Sequence, residues 1–419
     1  MRLRRAFAAS LLSPRRLVRK SSLVVTASTL LLAACGGGGG DNIDWETAFQ
    51  VIGHTNFQQD DVNDTQSTPQ SYTLATPFGN VASDGTKLYV ADTANNRILV
   101  WTSIPTTNGQ VADLVIGQDD FTTKTSGTTA SKLATPYQVS IGSGGQLVVA
   151  DTGNNRVLIW DTAPTTQSEI DAGPDVVVGQ GGSFTTQVSG TTAQNFNAPT
   201  AAVISNNKLI VADQGNNRVL IWSSVPTAGT EDASIVLGQS DFTSNGDDDG
   251  AADMYKPTSI WTDGTQLLVA DTGNYRVLYW STFPQSSATE ASYVVGQTDF
   301  NRSTYSTSAS TFESPTGVAS DGAQFWVADR GSNRVVKFDS MPASNGMSAS
   351  LVYGQDNQNF TASAANDDDQ DGKTDNDDDD QENGAATKHT LNGPTGVYVE
   401  GGVLYITDRG NSRVEMYAP

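Results

Sequence analysis

The chain has 419 residues, of which 37% are hydrophobic and 17% are charged, and its formal net charge is −22. All 46 acidic residues lie beyond residue 34, so this part of the chain should be repelled by nucleic acid and by anionic membrane surfaces. The length is ample for a sizeable core, and the 40 glycines favour short strands joined by tight turns. A charged partner is therefore expected to be a metal ion or a basic molecule.

The first 34 residues predict an export signal. They contain seven cations and no acid, and the apolar stretch 23–34 is too short to span a membrane as a helix. The stretch leads into Leu-Ala-Ala-Cys, which resembles the lipobox of bacterial lipoproteins, where the cysteine is lipidated and becomes the new N-terminus. Cys35 is the only cysteine and is the predicted lipid anchor.

The resemblance to a lipoprotein implies an exported protein that is anchored to a bacterial membrane and faces the periplasm or the exterior. The outer membrane is favoured. Residues 35–47 include five consecutive glycines and are expected to form a flexible tether. No disulfide can form within the chain, because it has no second cysteine.

Beyond the tether the chain repeats one pattern six times. In the copy VADTGNNRVLIW, residues 149–160, an apolar strand ends at an Asp, a turn of Gly and Asn reverses the chain, and an Arg opens a second strand. Asn and Gly are expected in the turn because both tolerate positive φ. The copies occupy residues 90–101, 149–160, 211–222, 269–280, 327–338 and 406–417.

Each copy belongs to a longer unit of four predicted strands. A first strand follows a Pro, a two-residue turn such as Asp-Gly leads into the repeated pair, and a fourth strand ends in Gly-Gln. The sixth unit lacks its fourth strand, and residues 48–53 (AFQVIG) supply an extra one. The sequence therefore predicts an all-β fold over residues 48–419. This fold is a six-bladed β-propeller of four-stranded antiparallel blades, and its last blade is closed by the N-terminal strand.

The repeated residues resemble NHL repeats over nearly all of this region. The resemblance rests on the pattern P-x-G-V…DG…L-x-V-A-D-T-G-N-N-R-V, and the Trp-Asp signature of WD-repeat blades is absent. NHL propellers have six blades, in agreement with the number of units. Such propellers serve as protein-binding, RNA-binding and catalytic scaffolds, so the resemblance alone does not assign a function.

Sixfold recurrence predicts a structural role for the Asp and the Arg of the pattern, because one active site does not need six copies. We expect the carboxylate to hold the turn and the guanidinium to bond to or pack against the adjacent blade. Some NHL-like propellers are lyases that hold zinc through several histidines. This chain has only His54 and His389, and His54 stands where the other units have Gln. No catalytic residue and no organic cofactor is therefore predicted.

An acidic insert, residues 364–384, lengthens the loop before the sixth unit. The Phe-to-Pro spacing there is 34 residues, against 15 in four other units. Oxygen ligands alternate around a glycine as in an EF-hand-type loop, and the insert also resembles calcium loops of the thrombospondin type 3 and dockerin kind. The alternative is a solvated acidic loop, and Asp instead of Glu at the twelfth position counts against calcium. The predicted calcium ligands are Asp367, Asp369, Asp371, Lys373 (through its carbonyl), Asp375 and Asp378.

A weaker copy of the calcium pattern precedes the fourth unit, at residues 245–256. Its twelfth position is Lys256, which cannot ligate a cation, and the loop has no extra length. Calcium and a metal-free loop are equally expected here. The candidate ligands are Asn245, Asp247, Asp249 and Asp253.

The predicted function is a non-catalytic, monomeric propeller that binds a protein or glycan partner, with calcium ordering one loop. It has no nucleic-acid partner, and it meets the membrane only through its lipid. The long loops between blades should emerge on the same face as the Asp–Arg turns, and we expect this face to be the recognition surface. The alternative is a metal-dependent hydrolase, lactonase or lyase, which carboxylates or amides grouped at the mouth of the central channel would favour.

Overall fold

The computed structural model describes residues 47–355, 359–366 and 386–418. Within these ranges the chain forms 24 strands in six four-stranded antiparallel sheets, together with one α-helix, α1 (Gln167–Ala172). The first strands of successive sheets contact one another around a central channel, and each sheet is one blade. The number of blades and their antiparallel order are those predicted from the sequence.

The strands follow the predicted units, and in each blade the strand that lies nearest the channel comes first in the sheet. β1 (Gln50–Ile52) precedes blade 1 in sequence. The remaining bounds are, in blade 1, β2 (Ala82–Ser83), β3 (Leu88–Asp92), β4 (Arg97–Trp101) and β5 (Leu114–Ile116); in blade 2, β6 (Gln138–Ile141), β7 (Leu147–Asp151), β8 (Arg156–Trp160) and β9 (Val176–Val178); in blade 3, β10 (Pro199–Ser205), β11 (Lys208–Asp213), β12 (Arg218–Trp222) and β13 (Ile235–Leu237); in blade 4, β14 (Pro257–Thr262), β15 (Leu267–Asp271), β16 (Arg276–Trp280) and β17 (Tyr293–Val295); in blade 5, β18 (Pro315–Ser320), β19 (Phe325–Asp329), β20 (Arg334–Phe338) and β21 (Leu351–Tyr353); and in blade 6, β22 (Pro394–Glu400), β23 (Val403–Asp408) and β24 (Arg413–Tyr417).

The hydrophobic core lies between the blades. The second and third strands of each blade are apolar at almost every position, because neighbouring blades cover both of their faces. All five residues of β8, for example, are buried. The described residues form six buried hydrophobic clusters, and each cluster joins two neighbouring blades. At about 1.5–3 kcal/mol for each fully buried large side chain, this packing is the main source of stability.

The ring closes as the sequence predicts. β1 pairs antiparallel with β24, so that Gln50 lies opposite Met416 and Ile52 lies opposite Val414. Val51 and Ile52 are fully buried. Three strands from the end of the described chain and one from its beginning therefore share the sixth sheet.

The turns between first and second strands follow two designs. In blades 3 and 6 two residues join the strands, and both have positive φ, as Asn206 (47°) and Asn207 (59°) do. The prediction of two-residue turns is wrong for the other four blades, whose loops have four or five residues. In blade 1 the Oδ1 atom of Asp84 accepts hydrogen bonds from the N–H groups of Thr86 and Lys87. This carboxylate stabilises the longer loop.

The turns between second and third strands are short 3₁₀ turns. The residue before the Arg has positive φ in all six, for example 51° at Asn155, which explains the Asn of the pattern. The glycine is present for another reason than the one expected, because Gly215 does not have positive φ. A Cβ atom there would lie 2.5 Å from the carbonyl oxygen of Asn197. The glycine therefore allows close approach of the preceding loop.

Strand direction separates two faces. The turns between second and third strands and the long loops between blades lie on one face, which we call the long-loop face. The turns between first and second strands and the links between third and fourth strands lie on the other, the short-turn face. This division follows because four antiparallel strands alternate in direction.

Candidate recognition surfaces

A buried Asp–Arg pair stands at every turn of the long-loop face. In blade 3 the Nε atom of Arg218 donates to Oδ2 of Asp213 at 2.8 Å, and neither side chain is exposed to solvent. Asp213 also accepts 2.7 Å hydrogen bonds from the N–H group of Asn197 and the amide of Asn216. Burial raises the pKa of Asp213 to about 6, while Arg218 opposes this shift by favouring the carboxylate. The carboxylate thus holds the turn, as predicted.

The arginine of each pair also ties two long loops to its blade. In the loop before blade 3, Arg218 donates to three carbonyls, those of Thr191, Thr192 and Asn195. It also donates to the carbonyl of Phe242 in the loop after the blade. The planar guanidinium has enough donors for all of these contacts. Equivalent contacts to both flanking loops are made by Arg97, Arg156, Arg276, Arg334 and Arg413.

The residue before each Arg adds further links between loops. The amide of Asn217 donates to the carbonyl of Asn245 at 3.0 Å, and its Oδ1 accepts from the N–H group of Lys256 at 2.9 Å. In blade 4 this position is Tyr275, whose ring packs on Tyr305 of the following loop with 5.4 Å between centroids. The long loops are therefore fixed both to the blades and to one another.

Three large hydrophobic side chains are exposed on these fixed loops. The exposed fractions are 51% for Val62, 67% for Val188 and 63% for Tyr305. Within the described ranges the other exposed large hydrophobics are Phe49, just before β1, and Val111, in the link before β5. Single exposed hydrophobics are common on protein surfaces. Their position on rigid loops makes the first three suitable for contact with a partner.

His54 fills the place of a repeated glutamine and has a structural role. It is fully buried, and its Nε2 atom lies 3.0 Å from the carbonyl oxygen of Asn411. In blade 3 the amide of Gln239 makes the same contact, also at 3.0 Å, with the carbonyl of Asn217. Burial lowers the pKa of His54, against the opposing effect of the Asn411 carbonyl. His389 contacts a different residue, Thr47, at 3.1 Å.

Replacing His54 with Gln is expected to remove a loss of stability at acid pH. The pKa of His54 is lowered in the folded state, so protonation below the unfolded value of about 6.5 favours the unfolded chain. The stability that depends on the neutral ring is complete above that value and is lost as the pH falls below it. Urea unfolding between about pH 8 and pH 5 should therefore show that H54Q loses less stability than the wild type.

The matched control for this prediction is His389→Gln, which changes the other histidine at a half-buried position. Its pH profile should follow that of the wild type. A difference between H54Q and wild type that does not change with pH would contradict the prediction.

Glu415 departs from the repeat in the last blade. The equivalent residues in the other blades are Leu99, Leu158, Leu220, Leu278 and Val336. Glu415 is fully buried, 2.8 Å from Nη2 of Arg413, and accepts a hydrogen bond from the hydroxyl of Tyr417. Burial raises the pKa of Glu415 to about 8, while Arg413 acts in the opposite direction. The sequence analysis missed this residue, although alignment of the six copies would have shown it.

The stronger predicted calcium loop lies outside the described residues, because all six proposed ligands fall within residues 367–385. The residues that flank it are described. Asn366 exchanges two amide hydrogen bonds with Asn411, of 3.1 and 2.8 Å. The carbonyl of Thr387 accepts a hydrogen bond from Arg413 at 2.9 Å. Both flanks are thus fixed to the last blade on the long-loop face.

The weaker predicted calcium loop is described in full. Gly250 does not have positive φ, and the carbonyl of Ala251 at the seventh position already accepts from a backbone N–H group at 2.9 Å. Burial, together with two neighbouring aspartates, raises the pKa of Asp253. Among the described residues no three acidic, histidine or cysteine side chains form a group that could hold a metal ion. Calcium at this loop stays a prediction.

The predicted lipid anchor Cys35 and the signal segment 1–34 also lie outside the described residues, as does the tether up to residue 46. In the ranges that the structure describes, no helix has the length and apolar character needed to cross a membrane. Export and lipidation remain predictions from the sequence.

The central channel opens on the short-turn face into a cavity of about 370 Å³. Its lining includes the half-buried rings of Trp261 and Tyr398 and the acidic residues Asp263 and Glu400. Gln138 also lines the cavity, and its buried Oε1 atom has no hydrogen-bond partner among the described residues. A groove of about 630 Å³ continues along the turns of blades 4 to 6. This mouth therefore groups amide and carboxylate side chains, which the enzymatic alternative requires.

The blades, their order and the closing strand define the protein as a six-bladed β-propeller. Residues 391–415, most of which lie in blade 6, match the family model of the NHL repeat, and the predicted resemblance is confirmed at this level. No curated protein matches the chain in sequence.

Solved structures that resemble the chain include two lyases and a nutrient-binding protein. Virginiamycin B lyase from Staphylococcus aureus is 12% identical, with a TM-score of 0.39, over 84% of this chain and 96% of that one. A streptogramin B lyase is 13% identical, with a TM-score of 0.39, over 89% and 98%. An auxiliary nutrient binding protein from Bacteroides thetaiotaomicron is 12% identical, with a TM-score of 0.47, over 82% and 70%. At these identities the likenesses assign neither a ligand nor a reaction to this chain.

Proposed function

We propose that the protein is a non-catalytic binding propeller that recognises a protein or glycan partner through its long-loop face. In this proposal a lipid on Cys35 anchors it to a bacterial membrane. The observation that carries the proposal is the set of six buried arginines, each of which fixes two long loops. Binding residues favour loops that a rigid scaffold holds, and loops fixed in advance lose less entropy when a partner binds.

The exposed side chains on this face supply the contact area. Val188 and Tyr305 are about two-thirds exposed, and each is adjacent to a loop residue held by the scaffold. Gln187, next to Val188, accepts a hydrogen bond from Asn155, and Tyr305 itself packs on Tyr275. An apolar side chain in a fixed position is the kind of anchor that carries binding energy at interfaces.

The variant V188S/Y305S is therefore expected to bind its partner at least about tenfold more weakly, because it loses two apolar anchors. Partners are captured from a bacterial envelope fraction on the immobilised protein and identified, and the affinity of the purified partner is then measured for each variant. The matched control is V111S, which removes an equally exposed valine from the short-turn face. Equal binding by V188S/Y305S and wild type, or loss of binding in V111S, would contradict the choice of face.

We further propose that calcium binds the insert through Asp367, Asp369, Asp371, Lys373, Asp375 and Asp378. Converging carboxylates repel one another unless a divalent cation lies between them. Calcium should raise the melting temperature, because an ion that binds only the folded chain stabilises it by about 2.7 kcal/mol at a hundred times its Kd. The variant D369N/D371N should lose this effect, and D247N/D249N tests the weaker loop. A wild-type melting temperature that does not respond to calcium would refute the proposal.

The second candidate function is a metal-dependent hydrolase or lyase, and the short-turn mouth favours it. Gln138, Asp263 and Glu400 bring amide and carboxylate oxygens, the ligands of hard divalent cations, to one cavity. Turnover of a panel of esters and lactones with added divalent cations, abolished in Q138A/E400Q, would establish this reading over the first. The absence of turnover in the wild type would reject it.

A further inference from the structure

Threonine hydroxyls link neighbouring blades around the long-loop end of the channel. Each one donates to the carbonyl of the proline at the start of the next blade, as Thr152 does to Pro199 at 2.7 Å. Thr395 closes the ring by donating to Pro77 at 3.4 Å. Among the described residues the pairs are Thr93–Pro136, Thr152–Pro199, Thr200–Pro257, Thr272–Pro315, Thr316–Pro394 and Thr395–Pro77.

Two different positions of the repeat supply these threonines. In blades 1, 2 and 4 the donor is the residue after the buried Asp, namely Thr93, Thr152 and Thr272. In blades 3, 5 and 6 the donor is the residue after the Pro, namely Thr200, Thr316 and Thr395. One position therefore suffices in each blade, and the other is not needed for the link.

The positions that the links do not need carry unusual side chains in four blades. Blades 1 and 2 have Phe78 and Tyr137 after the Pro, and their rings stack with 4.2 Å between centroids and an interplanar angle of 24°. Blades 5 and 6 have Arg330 and Arg409 after the buried Asp. Because the links are complete without them, blade assembly does not explain these four residues.

The two arginines line one cavity of about 320 Å³ between blades 5 and 6 on the long-loop face. The adjacent carboxylates, Asp329 and Asp408, are buried in pairs with other arginines of the repeat. No carboxylate of the described residues forms an ion pair with Arg330 or Arg409. Burial and the charge of Arg330 lower the pKa of Arg409, and Tyr137 is close enough to act in the opposite direction. The cavity thus holds two cations without a counter-ion, beside the stacked rings.

We propose that Arg330 and Arg409 bind the carboxylate or phosphate group of a ligand, and that the Phe78–Tyr137 pair is an apolar platform for the group attached to it. An anion between two guanidinium groups removes their mutual repulsion, and their planar geometry suits both carboxylate and phosphate. The acidic surface elsewhere repels free anions, so capture depends on both arginines. The inference rests on the proposed function of the long-loop face and names the chemistry that this face recognises.

The test is calorimetric titration at low ionic strength with inorganic phosphate, phenyl phosphate and benzoate. The wild type should bind phenyl phosphate more tightly than inorganic phosphate, and comparison with benzoate shows whether phosphate or carboxylate is preferred. R330T/R409T, which restores the residue found in three other blades, should weaken binding of all the anions that the wild type binds by at least about tenfold. F78T/Y137T should weaken binding of the two aromatic probes and leave inorganic phosphate unchanged.

The matched control is Arg302→Ala, which removes an exposed arginine of a long loop that pairs with Asp299. This variant should bind all probes as the wild type does. Undetectable anion binding by the wild type, or equal binding by R330T/R409T, would overturn the inference. If the face variant V188S/Y305S loses its partner while small anions fail to bind, the inference alone fails. If anions bind but no partner is captured through this face, the anion site stands and the proposed function fails.

Discussion

Replacing Arg218 with methionine is expected to lower the free energy of unfolding by about 3–5 kcal/mol, because it removes one partner of a buried ion pair. The change leaves the carboxylate of Asp213 buried without its counter-ion. It also removes the donors of four loop carbonyls, two of which belong to Thr191 and Phe242. Each buried acceptor that is left without a donor adds to the loss. Urea unfolding followed by tryptophan fluorescence measures the difference.

The control for this prediction is an arginine in the same kind of loop but at the surface. Arg302 is 57% exposed and pairs with Asp299 at 3.0 Å, so R302A should cost less than about 1 kcal/mol. The double variant D213L/R218M should be more stable than R218M alone, because it removes the unpaired charge. If R218M costs no more than R302A, the buried pairs do not fix the loops.

Removal of the closing strand is expected to be about as damaging. A protein that begins at His54 lacks β1, whose Val51 and Ile52 are fully buried, and these two side chains alone are worth about 3–6 kcal/mol. The loss also exposes β24 as an unpaired strand edge, which favours aggregation. The melting temperature should therefore fall sharply, and light scattering should rise on heating.

A protein that begins at residue 44 retains β1 and is the control, with an expected melting temperature equal to that of the full chain. A synthetic peptide of residues 44–54 should restore part of the lost stability when it is added to the shortened protein, because an exposed strand edge accepts an added strand. Equal melting temperatures for the two truncated proteins would show that β1 does not hold the ring closed.

Repetition made most of the fold predictable. A single copy such as residues 149–160 predicts only a pair of strands, but six copies with four strands each require an arrangement that buries every blade on both faces. The placement of residues 48–53 in the last blade followed from counting strands in the first and sixth units. The repeated Asp and Arg were correctly assigned to structure, because their recurrence excluded a single site.

Local hydrogen bonding was less predictable. Asp84-Gly85 and Asn206-Asn207 look alike as turn dipeptides, yet the carboxylate of Asp84 binds two N–H groups and holds a four-residue loop. The glycine of the repeated turn was explained by its φ, whereas close contact with the preceding loop is the observed reason. Such differences depend on neighbours that are distant in sequence.

The residues of the proposed anion site were missed for a related reason. Arg330 and Arg409 look like ordinary variation in the repeat until the hydrogen bonds show which of two threonine positions links each blade to the next. A comparison of the six copies position by position contains the signal, since Arg follows the buried Asp in only two of them. The ligand of the long-loop face is not encoded in the repeat at all, because it depends on residues that differ between blades.

The direction of β1 has a consequence for how the propeller would stand on a membrane. Because β1 is antiparallel to β24, the chain enters the outermost strand of blade 6 from the short-turn side. Only twelve residues separate Cys35 from Thr47, which allows a leash of at most about 40 Å even when fully extended. A lipidated protein would then hold its short-turn side toward the bilayer and present its opposite side outward, where bulky molecules can reach it.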